Sequence, residues 1–151
     1  MEFRIERAAK VDVPAIAAIA GAAYAPYVSR MGREPAPMVA DFAGHVERGE
    51  AFVLKTHDGV SAYLITFGKD GGQFIENIAV EPARHGQGLG RCLLAFAEDR
   101  ARDNGFDRMF LYTNVHMREN LDFYPKLGYV ETHRVTEDGF DRVYFEKRLQ
   151  P

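Results

Sequence analysis

The chain has no tryptophan and a single cysteine among its 151 residues. That cysteine, Cys92, cannot close an internal disulfide, which excludes a disulfide-stapled scaffold and fits a reducing compartment. The five histidines (His45, His57, His85, His116 and His133) are scattered, and no H-E-x-x-H pattern brings two of them to a metal-binding spacing. We therefore expect no structural or catalytic metal. Positive charge is not in excess. Nineteen Lys and Arg against 22 Asp and Glu leave a net charge of −3, which gives no general attraction to nucleic acid or an anionic membrane. Long apolar runs are also missing. The longest uncharged stretch, residues 13–29, is Ala-rich, contains Pro14 and Pro26, and reads as too short and too weakly apolar to span a bilayer. The first dozen residues mix charges and lack the apolar segment of a signal peptide. The expectation is a soluble, cytoplasmic protein with no nucleic-acid or membrane partner.

What is present is an ordinary globular composition, 46% hydrophobic and 27% charged. The length suits one domain over residues 1–151, with a core large enough to need no staple. Residues 3–6 alternate apolar and charged and predict a first strand. Asp12 has the chemistry of an N-cap, followed by Ile16, Ile19 and Ala23 at helical spacing, and Pro26 should end that helix. Residues 27–37 read as a loop, and Met38, Phe42 and Val46 predict a second helix over 38–47. Strands follow at 51–55 and 60–67, around a turn at His57-Asp58-Gly59. Residues 74–80 are apolar on both faces except at Glu76 and Asn77, the signature of a central strand. Then come a glycine-rich turn, a helix over 88–104 stopped by Gly105, a strand at 109–113 and a short helix at 117–127. A hairpin of residues 129–135 and 142–148 closes around Asp138-Gly139. This order predicts an α/β (α+β) fold, a mixed, mostly antiparallel sheet with helices on both faces.

The segment richest in chemistry is Val80-Glu-Pro-Ala-Arg-His-Gly-Gln-Gly-Leu-Gly-Arg91. Glycines let a backbone approach a ligand closely, and a helix N-terminus offers unpaired N–H groups and a positive dipole end. Together they can cradle a phosphate. The spacing departs from the dinucleotide fingerprint G-x-G-x-x-G, and the Walker G-K-[ST] is absent. By itself such a turn is equally well a tight strand-to-helix connection with no ligand.

Two segments taken together resemble the GNAT superfamily of N-acetyltransferases. The family's phosphate loop, [Q/R]-x-x-G-x-[G/A], is matched by His85-Gly-Gln-Gly88-Leu-Gly90, with His85 where Gln or Arg is usual and Arg84 just before it. The later family segment, N-x-x-[FL]-Y-x-x-x-G-[FY], is matched by Asn120-Leu-Asp-Phe123-Tyr124-Pro-Lys-Leu-Gly128-Tyr129. One helix and one strand fill the space between them, as in the family.

The resemblance implies acetyl-coenzyme A as co-substrate and a small-molecule amine or peptide amine as acceptor. It implies a sheet splayed between strands 74–80 and 109–113. The pantetheine arm would pair with Ile78, Ala79 and Val80, and the pyrophosphate would rest on His85, Gly86, Gln87, Gly88, Leu89, Gly90 and Arg91. A backbone N–H near Ile78 or Ala79 would polarise the thioester carbonyl. Tyr124 would protonate the departing thiolate; without the resemblance it reads as a packing aromatic beside Phe123. Glu76 would be the general base, its alternative being a carboxylate paired with a core Arg or Lys. Asn120 and Phe123 would meet the cofactor arm, although Asn120 equally suits stabilisation of its own helix. The acceptor would be met by the segment 24–38, with Tyr27, Arg30 and Arg33, and by Asn114; Tyr24, Arg142 and Tyr144 are further candidates. A solvated basic loop is the alternative reading of the arginines. Cys92 reads as a small core residue. Family members are often dimers, so a homodimer is compatible with the resemblance. A non-catalytic acetyl-coenzyme A sensor on the same fold is the competing function.

Overall fold

Two Asp-Gly turns lay out two of the three hairpins. Asp70 and Gly71 both have positive φ, 49° and 75°, and so do Asp138 and Gly139, 54° and 81°. Positive φ at both central residues is the type I′ geometry, whose twist matches that of paired strands. The computed structural model describes residues 2–150. Among them the order is β1 (Arg4–Arg7), α1 (Val13–Met31), α2 (Phe42–Glu47), β2 (Ala51–Thr56), β3 (Gly59–Lys69), β4 (Gly72–Val80), α3 (Leu89–Asp103), β5 (Arg108–Asn114), α4 (Arg118–Lys126), β6 (Val130–Glu137) and β7 (Phe140–Arg148). Single 3-10 turns lie at Lys10–Asp12, Ala36–Val39 and Pro82–Arg84. The strands form one seven-stranded sheet in the order β1-β2-β3-β4-β5-β7-β6. The β4–β5 pair is parallel, while β1–β2, β2–β3, β5–β7 and β6–β7 are antiparallel. The mixed, mostly antiparallel sheet is the one expected from the sequence.

The chain divides into two compact units, Met1–Thr66 with Glu76–Ala97, and Phe67–Ile75 with Glu98–Pro151. Strand β4 therefore changes unit after Ile75. Its pairing with β5 (Gln73 with Met109, Phe74 with Phe110, Ile75 with Leu111) lies wholly in the second unit. The first unit is built on Phe52, Val53 and Leu54 of β2 and Tyr63, Leu64 and Ile65 of β3, all buried. Onto it α1 packs Ile16, Ile19, Ala20 and Tyr24, and α3 packs Leu93 and Ala97. Phe96 of α3 meets Phe52 edge-on at 5.0 Å. The second unit buries Met109, Leu111, Val143 and Phe145, with the Phe74 and Phe110 rings 4.9 Å apart. Each fully buried large side chain contributes about 1.5–3 kcal/mol.

Three local expectations are corrected. Helix α1 runs through Pro26 to Met31. Proline removes the bond to the carbonyl four residues back, but Ala22 and Pro26 both lie on the exposed face, where water can satisfy that carbonyl. Asp12 makes no side-chain cap to α1. It is buried instead, accepting from the Ala9 N–H at 2.8 Å and pairing with Lys55 Nζ at 3.2 Å. The second helix begins only at Phe42, where Asp41 caps it by accepting from the Gly44 N–H at 3.1 Å. By length and composition alone, the 22 residues Lys10–Met31 would pass as a membrane-crossing helix, longer than the uncharged stretch suggested. Here that helix packs Ile16, Ile19, Ala20 and Tyr24 into the first unit's core.

Candidate active site

In the first unit, β4 ends at Val80 and the chain makes one 3-10 turn before the glycine loop. Gly86 and Gly88 have φ of 83° and 80°, a conformation that side chains with a Cβ rarely adopt. Residues 85–88 are exposed. The Gly88 carbonyl accepts the Cys92 N–H at 3.1 Å, which starts α3. The N–H groups of Leu89, Gly90 and Arg91 then have no acceptor within the helix. The first turn of α3 contains no acidic residue, and exposed Arg91 stands in it. A cation at the positive end of a helix is unfavourable for the helix and favourable for a bound anion. Leu89 contributes its backbone only, because its side chain is buried in the core.

The unusual His85 has a local task. Its Nε2 lies 3.0 Å from the Val80 carbonyl, which can only accept, so Nε2 carries the proton and donates. The ring thus ties the loop back to the end of β4. Arg84 pairs with Asp58 on the β2–β3 turn and lies 3.8 Å from Glu81, which anchors the loop's other side. Loop geometry is therefore fixed by neighbours of the glycines.

Along β4, Glu76 is half-buried and makes no hydrogen bond or ion pair among the described residues. The core Arg or Lys partner of the alternative reading is not found there. Its neighbour Asn77 is buried, with its amide oxygen and one N–H engaged. Asn77 Oδ1 accepts from Tyr24 OH at 3.0 Å and Tyr63 OH at 2.8 Å, and Nδ2 donates to the Pro37 carbonyl at 2.9 Å. Tyr24 OH also reaches the Ile78 carbonyl at 2.9 Å. Tyr24, a candidate acceptor contact, therefore points into the core. At the end of α1, exposed Arg30 lies 5.1 Å over the Tyr27 ring, and Gly32 (φ 72°) closes the helix before exposed Arg33. Half-buried Cys92 lies in the first unit as well.

In the second unit, Tyr124 of α4 is buried in an aromatic cluster. Its ring lies 5.3 Å from Phe123, 5.5 Å from Tyr129 and 5.9 Å from Phe145. Asn120 Nδ2 donates to Thr113 Oγ1 at 3.0 Å, tying α4 to the end of β5. Asn114 Oδ1 accepts the His116 N–H at 2.9 Å, shaping the turn between them. Both asparagines thus hold the frame around Tyr124. Arg142 lies 4.3 Å over Tyr112 and is paired with Glu137 at 3.6 Å. The Tyr144 hydroxyl donates to Glu137 at 2.6 Å, and burial with that bond pushes its pKa up to about 12. Tyr129 OH is buried without a hydrogen-bond partner among the described residues, and burial pushes its pKa up. Sequence reasoning missed Asn77, Tyr63 and Tyr129 as organising residues. The available signal was Asn77, a polar side chain in an otherwise apolar strand.

An exposed glycine loop between a strand and an anion-favouring helix end, on a mostly antiparallel seven-stranded sheet, suits a phosphate-bearing ligand. Residues 18–129 match the family described as Acetyltransferase (GNAT) family, and the chain belongs to that family. A 59-residue segment is 39% identical to the aminoalkylphosphonate N-acetyltransferase of Salmonella typhimurium, covering 39% of this chain and 38% of that protein. The fold matches the PaiA N-acetyltransferase of Thermoplasma acidophilum in complex with coenzyme A, with a TM-score of 0.78 at 14% identity over 98% of this chain and 99% of that one. It also matches an IAA acetyltransferase of Bacillus cereus, with a TM-score of 0.70 at 22% identity over 98% of this chain and all of the other. The matched segment thus spans well under half of the Salmonella relative.

Proposed function

We propose that the chain moves the acetyl group of acetyl-coenzyme A to a primary amine by direct attack in a ternary complex. The observation that carries this reading is the loop at Gly86 and Gly88, set on an α3 N-terminus that has Arg91 and no acid in its first turn. Those features fit a pyrophosphate, which would take the N–H groups of Gly88 to Arg91. The matched family residues span both compact units, so we read the whole chain as one acetyltransferase domain.

Bound acetyl-coenzyme A supplies an acyl group activated as a thioester. Glu76, with no competing partner among the described residues, takes the proton that the attacking ammonium must lose. A backbone N–H near Ile78 or Ala79 holds the oxyanion as the C–N bond forms. Tyr124 gives its phenolic proton to sulfur as the C–S bond breaks. The products are an N-acetylated amine and the free thiol. Tyr27, Arg30, Arg33 and Asn114 are proposed to meet the acceptor, within a segment 24–38 that borders it. Guanidinium forks suit a carboxylate or phosphonate, and the Salmonella relative, which acts on aminoalkylphosphonates, supports an amine with an anionic group.

The test is thermal melting with and without acetyl-coenzyme A, followed by thiol release with a panel of amines. Cofactor at a hundred times its Kd should stabilise the native state by about 2.7 kcal/mol. No shift at millimolar cofactor would overturn the donor site. A shift without thiol release from any amine would favour the non-catalytic sensor.

A further inference from the structure

We propose that Asn77 is a positioning residue for the amine acceptor: its side-chain amide fixes the turn at Ala36–Val39 to the strand that carries Glu76. This rests on the reading that residues 24–38 border the acceptor. Every group involved lies in the first compact unit.

Asn77 is only 3% exposed. An amide so deeply buried is stabilising only if its donors and acceptors are used. The Pro37 carbonyl can only accept, so the amide nitrogen must face it, and that sets the side chain's orientation. The oxygen then faces two phenols, Tyr24 on α1 and Tyr63 on β3. Tyr63 donates to it, and the single Tyr24 hydroxyl proton is shared between it and the Ile78 carbonyl. Tyr63 is completely buried, and burial pushes its pKa up, so its proton stays in place. One amide thus connects β4, β3, α1 and the 36–39 turn.

That turn packs along α1, and the Asn77 amide is what hydrogen-bonds it to β4. Pro35 and Pro37 have no N–H to donate, and the turn's internal bond runs from the Met38 N–H to the Pro35 carbonyl at 3.0 Å. The Asn77 bond to Pro37 is therefore the tether that sets the turn's distance from β4. Phe42, at the start of α2, packs edge-on against Tyr63 at 5.8 Å and extends the same connection to the next element. A satisfied buried network of this kind rigidifies its surroundings more than its separate bonds suggest. Neighbouring side chains on a strand point to opposite faces, so Asn77 can hold the backbone while Glu76 stays free of it.

The acceptor side should loosen when the tether is cut, while the glycine loop keeps its own anchors in His85 and Arg84. Asn77→Asp keeps an oxygen for the two phenols and replaces the donor to Pro37 by a second oxygen. Kinetics would use the panel amine that the wild type acetylates fastest, an aminoalkylphosphonate being tried first. We expect Asn77→Asp to raise the KM for that amine about tenfold while the KM for acetyl-coenzyme A and its thermal shift stay within about twofold. Tyr24→Phe and Tyr63→Phe each remove one phenol donor and should raise the amine KM about threefold with the same selectivity. Equal changes in both KM values, or an unchanged amine KM in a folded Asn77→Asp, would overturn the proposal. If Asn77→Asp does not fold, the two Phe variants decide, and an unchanged amine KM in both is the negative result. A wild type that releases no thiol with any amine would instead refute the proposed function, and this inference with it.

Discussion

Around Asn77 in the first unit buried polar groups are paired with one another, whereas in the second the buried Tyr129 hydroxyl has no hydrogen-bond partner among the described residues. Two phenols and a backbone carbonyl engage the Asn77 amide oxygen and one of its N–H groups. Tyr124 makes ring contacts with Phe123, Tyr129 and Phe145, and the Tyr129 hydroxyl is buried with no hydrogen-bond partner among the described residues. Directional bonds fix a backbone in one place, as the proposed roles of β4 and the 36–39 turn require. Aromatic packing holds a side chain firmly but tolerates an unpaired polar atom. The same chemical change, removal of one phenolic oxygen, should therefore have opposite consequences in the two units.

The largest effect is expected at Tyr124. Tyr124→Phe keeps the ring contacts and should lower kcat at least about tenfold with little change in cofactor-induced stabilisation. Wild-type turnover would return Tyr124 to a packing role. Next, Tyr63→Phe should destabilise the fold by about 1–2 kcal/mol, because it leaves the buried Asn77 oxygen short of a donor. Tyr129→Phe should stabilise by about 1 kcal/mol, since it deletes a hydroxyl whose desolvation nothing offsets. Urea unfolding of both variants measures the pair, and two changes of the same sign would break the comparison. The smallest effect is acid-induced. A hydrogen bond from Arg134 holds Glu131 below the ordinary 4.5, and one from the Tyr144 hydroxyl does the same for Glu137. A carboxyl whose folded pKa is depressed stabilises above its unfolded value and loses that contribution as pH falls through the folded one. Glu131 is exposed and Glu137 is half-exposed, so solvent screening keeps the loss small. Amide exchange between pH 5 and 3 should show β6 and β7 loosening while the uncharged network at Asn77 keeps its protection.

Strands, the crossover and the glycine-rich strand-to-helix turn were legible in the sequence because their signals are local. Asp-Gly pairs specify type I′ turns, alternation specifies strands, and glycines at a strand-to-helix junction mark the loop. The errors arose where a distant partner decided the outcome. Asp12 was expected to cap a helix, and it became a buried partner of Lys55, across the β1–β2 region of the chain. Pro26 was expected to end α1, and an exposed face let the helix continue. His85 differed from the family pattern in a way that a sequence could not interpret until its ring was seen on the Val80 carbonyl. Asn77 stood out as polar in an apolar strand, but nothing local says that Tyr24, Tyr63 and Pro37 converge on it. Of the candidate site, the loop and Glu76 were read from spacing and strand pattern, Tyr124 from the family segment, and the residues that orient them were not.

The placement of the two Asp-Gly turns also bears on how the chain reaches its native state. The β3–β4 and β6–β7 hairpins join neighbouring segments and should close within microseconds. The parallel β4–β5 pairing cannot form until the chain has looped through the whole of α3. Pulse-labelled amides of Gln73–Ile75 and Met109–Leu111 should then become protected after those of both hairpins. The strand that carries Glu76 is therefore expected to take its register from β3 first, and to meet β5 through Gln73–Ile75 only afterwards.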